Sequence, residues 1–416
     1  MNKLVRVARL LNQAATWSLM DQAVISGGNF LLSLLLARQM GLEGFGLYTL
    51  WYMLPLMVLS LSQACIVQPF QAFWAEEKER GEQYATTVWQ MQLLFGRLVL
   101  FLVIIAAVMM QSMLPLWAGA LAVAQSAFDF LRKYSYAKGS YQKPFFWSAP
   151  LYGGILLVLL FWPPHSVEIL FVLLFSAYAG AVVVGAKALS FSIQLRPLAG
   201  LTKYIKKHYH YSFWLLGAAL VQWLSGNAFL LAAAALLGHS ALGGLRLTQQ
   251  LIGITHIVFL AMENRIPVAA AQHFQNGSFT ALKNYLQRTS TQYGFIVLAL
   301  LLTLQASGPL LRWIYEPAVV DEVLRYLPLY TLFYLLVFLT IPLRIALRSM
   351  QKTAPIFWSY ALMALVGSSM AYPFVQTWGW KGVFAGLFLT QLMAIGIYLW
   401  QLYPFGLAAG TSKSVT

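Results

Sequence analysis

Ser26-Gly27-Gly28-Asn29-Phe30-Leu31-Leu32, in the first apolar run of the chain, is echoed by Ser225-Gly226-Asn227-Ala228-Phe229-Leu230-Leu231 in the seventh. A Gly-rich turn follows each run: Gly41-Leu42-Glu43-Gly44-Phe45-Gly46-Leu47-Tyr48 after the first, His239-Ser240-Ala241-Leu242-Gly243-Gly244-Leu245-Arg246 after the seventh. A second echo pairs Leu131-Arg132 and Lys143-Pro144 with Leu343-Arg344 and Lys352-Thr353-Ala354-Pro355, between runs four and five and between runs ten and eleven. Internal repeats are read before motifs because they decide the architecture. Both echoes lie six runs apart, so if the runs cross a membrane the two halves keep the same orientation, a parallel repeat about an axis along the membrane normal.

The runs do have membrane character. Of the 416 residues, 60% are hydrophobic and only 9% charged, against about 25% charged in a soluble domain. Segments of about 20 apolar residues fit the hydrocarbon core of a bilayer. Twelve such segments start near Thr16, Phe45, Val88, Met113, Phe145, Glu168, Tyr211, Ala241, Thr289, Val323, Pro355 and Lys381. The expected fold is therefore an all-α integral membrane protein, with about twelve transmembrane helices in two six-helix lobes related by pseudo-two-fold symmetry around a central cavity. The boundaries this reading sets are an interfacial segment 1–14, an N-lobe 15–190, a linker 191–210, a C-lobe 211–404 and a tail 405–416. Lys3, Arg6 and Arg9 mimic the start of a signal peptide, but no small-residue cleavage site follows, so the segment reads as retained.

The charge distribution gives orientation. Of the 27 Lys and Arg, Arg38, Arg312, Arg325 and Lys381 fall on odd-numbered connections, Arg97 and Arg246 fall inside spans, and all the others fall on even-numbered connections or the termini. The positive-inside rule then places both termini in the cytoplasm. The same spread over short loops removes nucleic acid as the explanation of the net charge of +15, because no single domain gathers it. Cys65 is the only cysteine, so there is no internal disulfide and no multi-cysteine zinc site. No P-loop and no H-E-x-x-H motif occurs, so nothing calls for a cofactor, a bound metal or a catalytic residue.

Asp21-Gln22 ahead of Gly28-Asn29-Phe30, Ala37-Arg38 followed by Gly41 and Phe45-Gly46, the Leu-Arg…Lys…Pro connections, and Gly379-Trp380-Lys381-Gly382-Val383 before the last run resemble the polysaccharide transporter branch of the multidrug/oligosaccharidyl-lipid/polysaccharide exporter superfamily, which includes the O-antigen flippases. The resemblance runs over most of the chain, through loose motifs of Gly and apolar residues. It implies a flippase in the bacterial cytoplasmic membrane, moving an undecaprenyl-diphosphate-linked oligosaccharide or polysaccharide by alternating access for surface polysaccharide biosynthesis, without nucleotide hydrolysis. The partners it implies are the lipid-linked glycan, membrane lipids, and the glycosyltransferases and polymerase of the same pathway. The protein is then a transporter and not an enzyme.

Ionisable and amide side chains within spans are candidate functional groups, because an ionised side chain costs roughly 2.5–3.5 kcal/mol at a span's centre. In the first span Ser18, Gln22, Ser26, Asn29 and Ser33 share one face by helical spacing, with Asp21 beside it. The alternative for this face is helix packing, which small residues favour. In the eighth span Arg246, Gln249, Gly253, His256, Leu260 and Glu263 form a stripe graded from cation through amide and imidazole to carboxylate. The alternative there is that Arg246 and Glu263 snorkel to opposite interfaces. Arg97 lies about 12 Å beyond Trp89 at 1.5 Å per residue, and its alternative is a structural pair with Asp21 or Asp129. For a diphosphate, Arg97 and Arg246 are suitable ligands, since a guanidinium stays charged and donates parallel hydrogen bonds to phosphate oxygens. Asn29, Gln22, Gln249, His256 and Asn227 are the expected sugar and phosphate contacts. Asp21 and Glu263 are the expected coupling sites for H⁺ or Na⁺.

Two rivals have weaker support. A membrane glycosyltransferase or polymerase would need paired carboxylates by a large outer loop, and only Glu316, Asp321 and Glu322, in a short one, are available. A cation-coupled multidrug antiporter favours a cavity dominated by carboxylates, whereas here Arg97 and Arg246 balance Asp21 and Glu263.

Overall fold

The structure is a computed structural model that describes the backbone of residues 2–191 and 201–411, with side chains from 16 to 405 apart from 78, 192–200, 264, 265, 268 and 276–278. The described residues are helical and contain no strand, as a bilayer requires of a chain that must satisfy its own backbone. The helices are α1 (Asn2–Ser62), α2 (Gln68–Phe73), α3 (Gly81–Met110), α4 (Leu114–Ala137), α5 (Gln142–Phe161), α6 (Val167–Ala188), α7 (Leu201–Ile252), α8 (His256–Gln305), α9 (Gly308–Ile314), α10 (Pro317–Ser349), α11 (Ala354–Trp378) and α12 (Trp380–Thr411).

Among the described residues nine helices are long and apolar enough to span a membrane, and the bent pair Phe279–Gln305 with Gly308–Ile314 makes a tenth. Two of these segments, Thr16–Phe73 with 58 residues and Leu201–Glu263 with 63, would run to nearly 90 Å or more if straight, well over twice a hydrocarbon core of about 30 Å. Each is broken once, at Gly41 (φ 64°, ψ −175°) and at Gly238 (φ 86°, ψ 175°). Dividing both gives the twelve expected spans. The turns foreseen as Gly-rich loops are single residues, and the chain is helical again at Leu42 and at His239. Gly44, Gly46, Gly243 and Gly244 lie within the returning helices. In the long α8 the ring of His273 stacks on that of Tyr285 at 4.5 Å. A straight helix would hold these residues about 18 Å apart, so the chain folds back between them.

The chain forms two compact units, Met1–Leu220 and Val221–Thr416. In the first, α4 is the central helix, packing on α1, α3 and α6, while α5 lies along α1. Gly28 permits that last contact, since a Cβ there would run into the Tyr152 ring. In the second unit α10 packs on α8 and α12, and α11 on α12. Trp89 on α3 is a core residue: it is 1% exposed and stacks on Phe191 and Phe130 at 5.6 and 5.9 Å. Trp162, Trp313 and Trp378 are exposed, as belt residues are.

The division between the units falls inside α7, later than the 191–210 linker expected from the sequence. Residues 192–200 of that linker lie outside the described residues, and from Leu201 the rest of it is helix. Side-chain contacts explain the shift. Lys207 donates to Glu76 (2.9 Å) and Glu77 (3.0 Å), Tyr204 donates to Glu77 (2.9 Å), and His208 pairs with the Tyr84 hydroxyl (2.8 Å). The first turns of α7 thus remain part of the first unit.

Candidate functional site

Unit two carries the densest cluster of expected site residues. Arg246 donates from Nη1 to Gln249 Oε1 (2.9 Å) and from Nη2 to Asn227 Oδ1 (2.6 Å). Asn227 is itself oriented by donating to the Trp223 carbonyl (2.7 Å). Beyond a short 3-10 turn, Gly253–Thr255, His256 Nε2 pairs with the Tyr334 hydroxyl at 3.3 Å. Four residues of the predicted set, Asn227, Arg246, Gln249 and His256, therefore converge within one unit. Every partner Arg246 has is a neutral amide oxygen. Its Nε, and the buried Tyr330 hydroxyl whose dipole lies within electrostatic reach, have no hydrogen-bond partner. A guanidinium held by amides, with donors to spare and no carboxylate bound, leaves a net positive centre suited to an anion.

Sequence reasoning missed the tyrosines of this cluster. Tyr326, Tyr330, Tyr334 and Phe338 recur every four residues on α10 and are all buried. That stripe was visible in the sequence as a face, although not as one that meets Arg246.

Both units carry a second kind of arginine. In unit one Arg132 donates through Nε (3.1 Å) and Nη2 to Asp21 Oδ2, and through Nη1 to Asp129 Oδ1 (3.2 Å). The Tyr136 hydroxyl adds a bond to Asp21 at 2.5 Å, and Gln63 donates to Asp129. In unit two Arg344 donates to Glu263 Oε1 (2.8 Å) and to the Tyr360 hydroxyl (2.8 Å). The repeated Leu-Arg dipeptide therefore marks a repeated contact: an arginine on the fourth or tenth span, holding a carboxylate from an earlier span of its own unit. Asp21 and Glu263, expected as coupling sites, are both occupied by these arginines. Glu263 does not snorkel free, and Asp21 is fully buried.

The other predicted residues are dispersed. Gln22 is exposed and bonds Ser26 (3.1 Å); Ser18 and Ser26 are exposed with it, Ser33 is half-buried and donates to the Asn29 carbonyl (3.0 Å), and Asp21 points into the unit. Asn29 is half-buried and within hydrogen-bonding reach of Tyr152, which in turn pairs with Tyr178 (2.8 Å). Arg97 pairs with neither Asp21 nor Asp129. It is exposed on α3 and lines an apolar groove.

Twelve spans in two units, with buried polar clusters in each, define a polytopic helical membrane protein. A MatE family model matches residues 215–372, from the middle of α7 into α11. No curated protein matches the sequence significantly. Solved structures share the fold along nearly the whole chain. A multidrug resistance MATE family transporter of the MOP superfamily in an inward-facing conformation is similar with a TM-score of 0.71, at 12% identity over 95% of this chain and 99% of that one. The lipid II flippase MurJ, in an inward closed conformation, is similar with a TM-score of 0.68, at 13% identity over 95% and 87%. A MOP superfamily transporter from Pyrococcus furiosus, described as having a binding pocket of reverse polarity, follows with a TM-score of 0.58, at 12% identity over 95% of each chain. The fold is that of the MOP superfamily transporters.

Proposed function

We propose that the protein is a flippase that carries an undecaprenyl-diphosphate-linked oligosaccharide or polysaccharide across the bacterial cytoplasmic membrane by alternating access, with both termini in the cytoplasm. The observation that carries this reading is Arg246. Its bonds to Asn227 and Gln249 leave its charge uncompensated, and a buried uncompensated cation penalises a cationic drug and favours a diphosphate. Asn227, Gln249 and His256 are the neighbouring donors and acceptors for sugar and phosphate oxygens, and Gln22 and Asn29 supply amides on the first span. A coupling H⁺ or Na⁺ at Asp21 or Glu263 would compete with the arginine each already holds, so cation binding would release Arg132 or Arg344.

The test is surface glycan display, with an assay of accumulated lipid-linked units, in a deletion strain complemented by the wild type or by Arg246→Ala. Loss of display with complete lipid-linked units piling up is the expected outcome. Incomplete units would point to an enzyme of assembly, and unchanged glycan with altered drug sensitivity would point to a multidrug antiporter.

A further inference from the structure

In unit one a groove of about 580 Å³ runs between α3, the Cys65–Ile66 segment and the first turns of α7. This lies within the range of about 300–1,000 Å³ usual for ligand sites. Its walls are apolar: Leu94, Leu98 and Phe101 on α3 face Tyr209 and Phe213 on α7, and all five are exposed. Among the described residues Arg97 is the one permanently charged side chain in the lining, and none of them engages it in a hydrogen bond or ion pair. His208, which also lines the groove, is committed to Tyr84.

Depth makes Arg97 unusual. Helix α3 has 30 residues and is therefore about 45 Å long, with Arg97 about 24 Å from its Gly81 end. This is within about 2 Å of the helix midpoint, and for a hydrocarbon core about 30 Å thick centred on the helix it is about 15 Å from either edge. A cation at that depth cannot reach water by extending its side chain. It needs an anion brought to it.

We infer that this groove is the lateral seat of the transported lipid, its polyprenyl chain lying along α3 and α7 and its diphosphate meeting Arg97 at mid-membrane. This inference rests on the translocation reading above and adds the route of the lipid moiety. An isoprenoid chain matches the apolar walls, and the guanidinium matches phosphate oxygens through paired N–H donors. A resident phospholipid offers the same two chemistries but keeps its headgroup at the interface. A lipid whose headgroup is carried across must pass the midplane, where Arg97 sits.

The test uses the full chain in nanodiscs, with benzoylphenylalanine at Leu98 and radiolabelled undecaprenyl diphosphate as probe. Expected are saturable photo-crosslinking, at least a tenfold loss in Arg97→Ala, a smaller loss in Arg97→Lys, and competition by unlabelled undecaprenyl diphosphate but not by undecaprenol. The same photoprobe at Met109, exposed on α3 beyond the groove, should stay unlabelled. Thermal midpoints matching wild type establish that the variants are folded. Crosslinking unchanged in Arg97→Ala, or displaced equally well by phosphatidylglycerol, overturns the inference. Because the crosslink is read without transport, the two failures separate. Arg97-independent crosslinking with intact glycan display removes the groove and keeps the flippase, whereas Arg97-dependent crosslinking with glycan display independent of the protein keeps the lipid seat and removes the flippase.

Discussion

Replacing Gly41 or Gly238 by alanine tests the feature that turns two long helices into four spans. Both glycines combine a positive φ with an extended ψ, 64° and −175° at Gly41 and 86° and 175° at Gly238, a region essentially closed to residues with a Cβ. Neither position is crowded, because a Cβ at either would meet nothing within 4 Å. The cost of alanine is then conformational alone, about 1–3 kcal/mol per site. For units of about 200 residues, at about 2–4 °C per kcal/mol, the thermal midpoint should fall by roughly 2–12 °C. The sites lie in different units, so the double variant should lose close to the sum. Gly27→Ala and Gly226→Ala are matched controls: they too have nothing within 4 Å but sit inside helix, where alanine gains up to about 1 kcal/mol. The assay is thermal unfolding of detergent-solubilised protein followed by tryptophan fluorescence, alongside glycan display. Midpoints for Gly41→Ala and Gly238→Ala equal to those of the controls would refute the reasoning, since the break would then not be fixed by the backbone.

Three further outcomes follow from named contacts. Gly28→Ala drives a Cβ into the Tyr152 ring, and Gly386→Ala drives one into Phe229; each should cost about 1–3 kcal/mol, read as lower midpoints, while Gly396→Ala, with open space around it, should not. Acidification should loosen the start of α7: burial pushes the Glu77 carboxyl up, but hydrogen bonds from Lys207 and Tyr204 and the charges of Lys207 and Lys203 outweigh it and hold it below its ordinary value of 4.5. A depressed carboxyl contributes above its unfolded value and is lost as pH falls through the folded one, so amide protection over 201–212, taken relative to the intrinsic exchange rate at each pH, should be flat from pH 7 to 5 and fall below 4.5, with no step in Glu77→Gln. Tyr334→Phe removes the partner of His256 without changing shape, and should slow glycan display while moving the midpoint by no more than about 1.5 kcal/mol.

How much of this was legible in the sequence depends on whether a feature is periodic or relational. Apolar runs of span length and the echo around Gly41 and the seventh span are periodic or local, and they point to twelve spans in two halves. The stripe from Arg246 to Glu263 was legible for the same reason, as one helical face. What escaped depends on which helix meets which. Arg97 and Asp21 looked like partners because both are charged and within spans, but α4 is the helix that packs on α1, so Asp21 receives Arg132 instead. By their place at the ends of apolar runs Arg132 and Arg344 read as topology markers. Hydropathy has no means of distinguishing a cation at a span's end from one turned inward onto a carboxylate. Nor does hydropathy tell a ring at an interface from one covered by its neighbours, as Trp89 is by Phe130 and Phe191.

The arginines of the two units divide by what they are bonded to, and that division separates stability from transport. Arg132 neutralises Asp21 and touches Asp129, so Arg132→Gln leaves two buried carboxylates uncompensated. Breaking a buried ion pair on one side costs about 3–5 kcal/mol. Arg246 holds only the amide oxygens of Gln249 and Asn227, and a glutamine amide can donate to either while leaving no charge stranded. Arg246→Gln should therefore fold with a loss of no more than about 1 kcal/mol and yet lose glycan display, because the anion has lost its cation. Counted from the equivalent breaks at Gly41 and Gly238, the counterpart of Arg246 in the other unit is Thr49, whose hydroxyl donates to the Phe45 carbonyl of its own helix (2.7 Å). The repeat has thus kept its carboxylate-holding arginines in both halves, whereas the amide-held arginine of unit two has no arginine at the matching position of unit one. Arg246→Gln that unfolds as readily as Arg132→Gln would make the cation structural and remove the chemical ground for an anionic substrate.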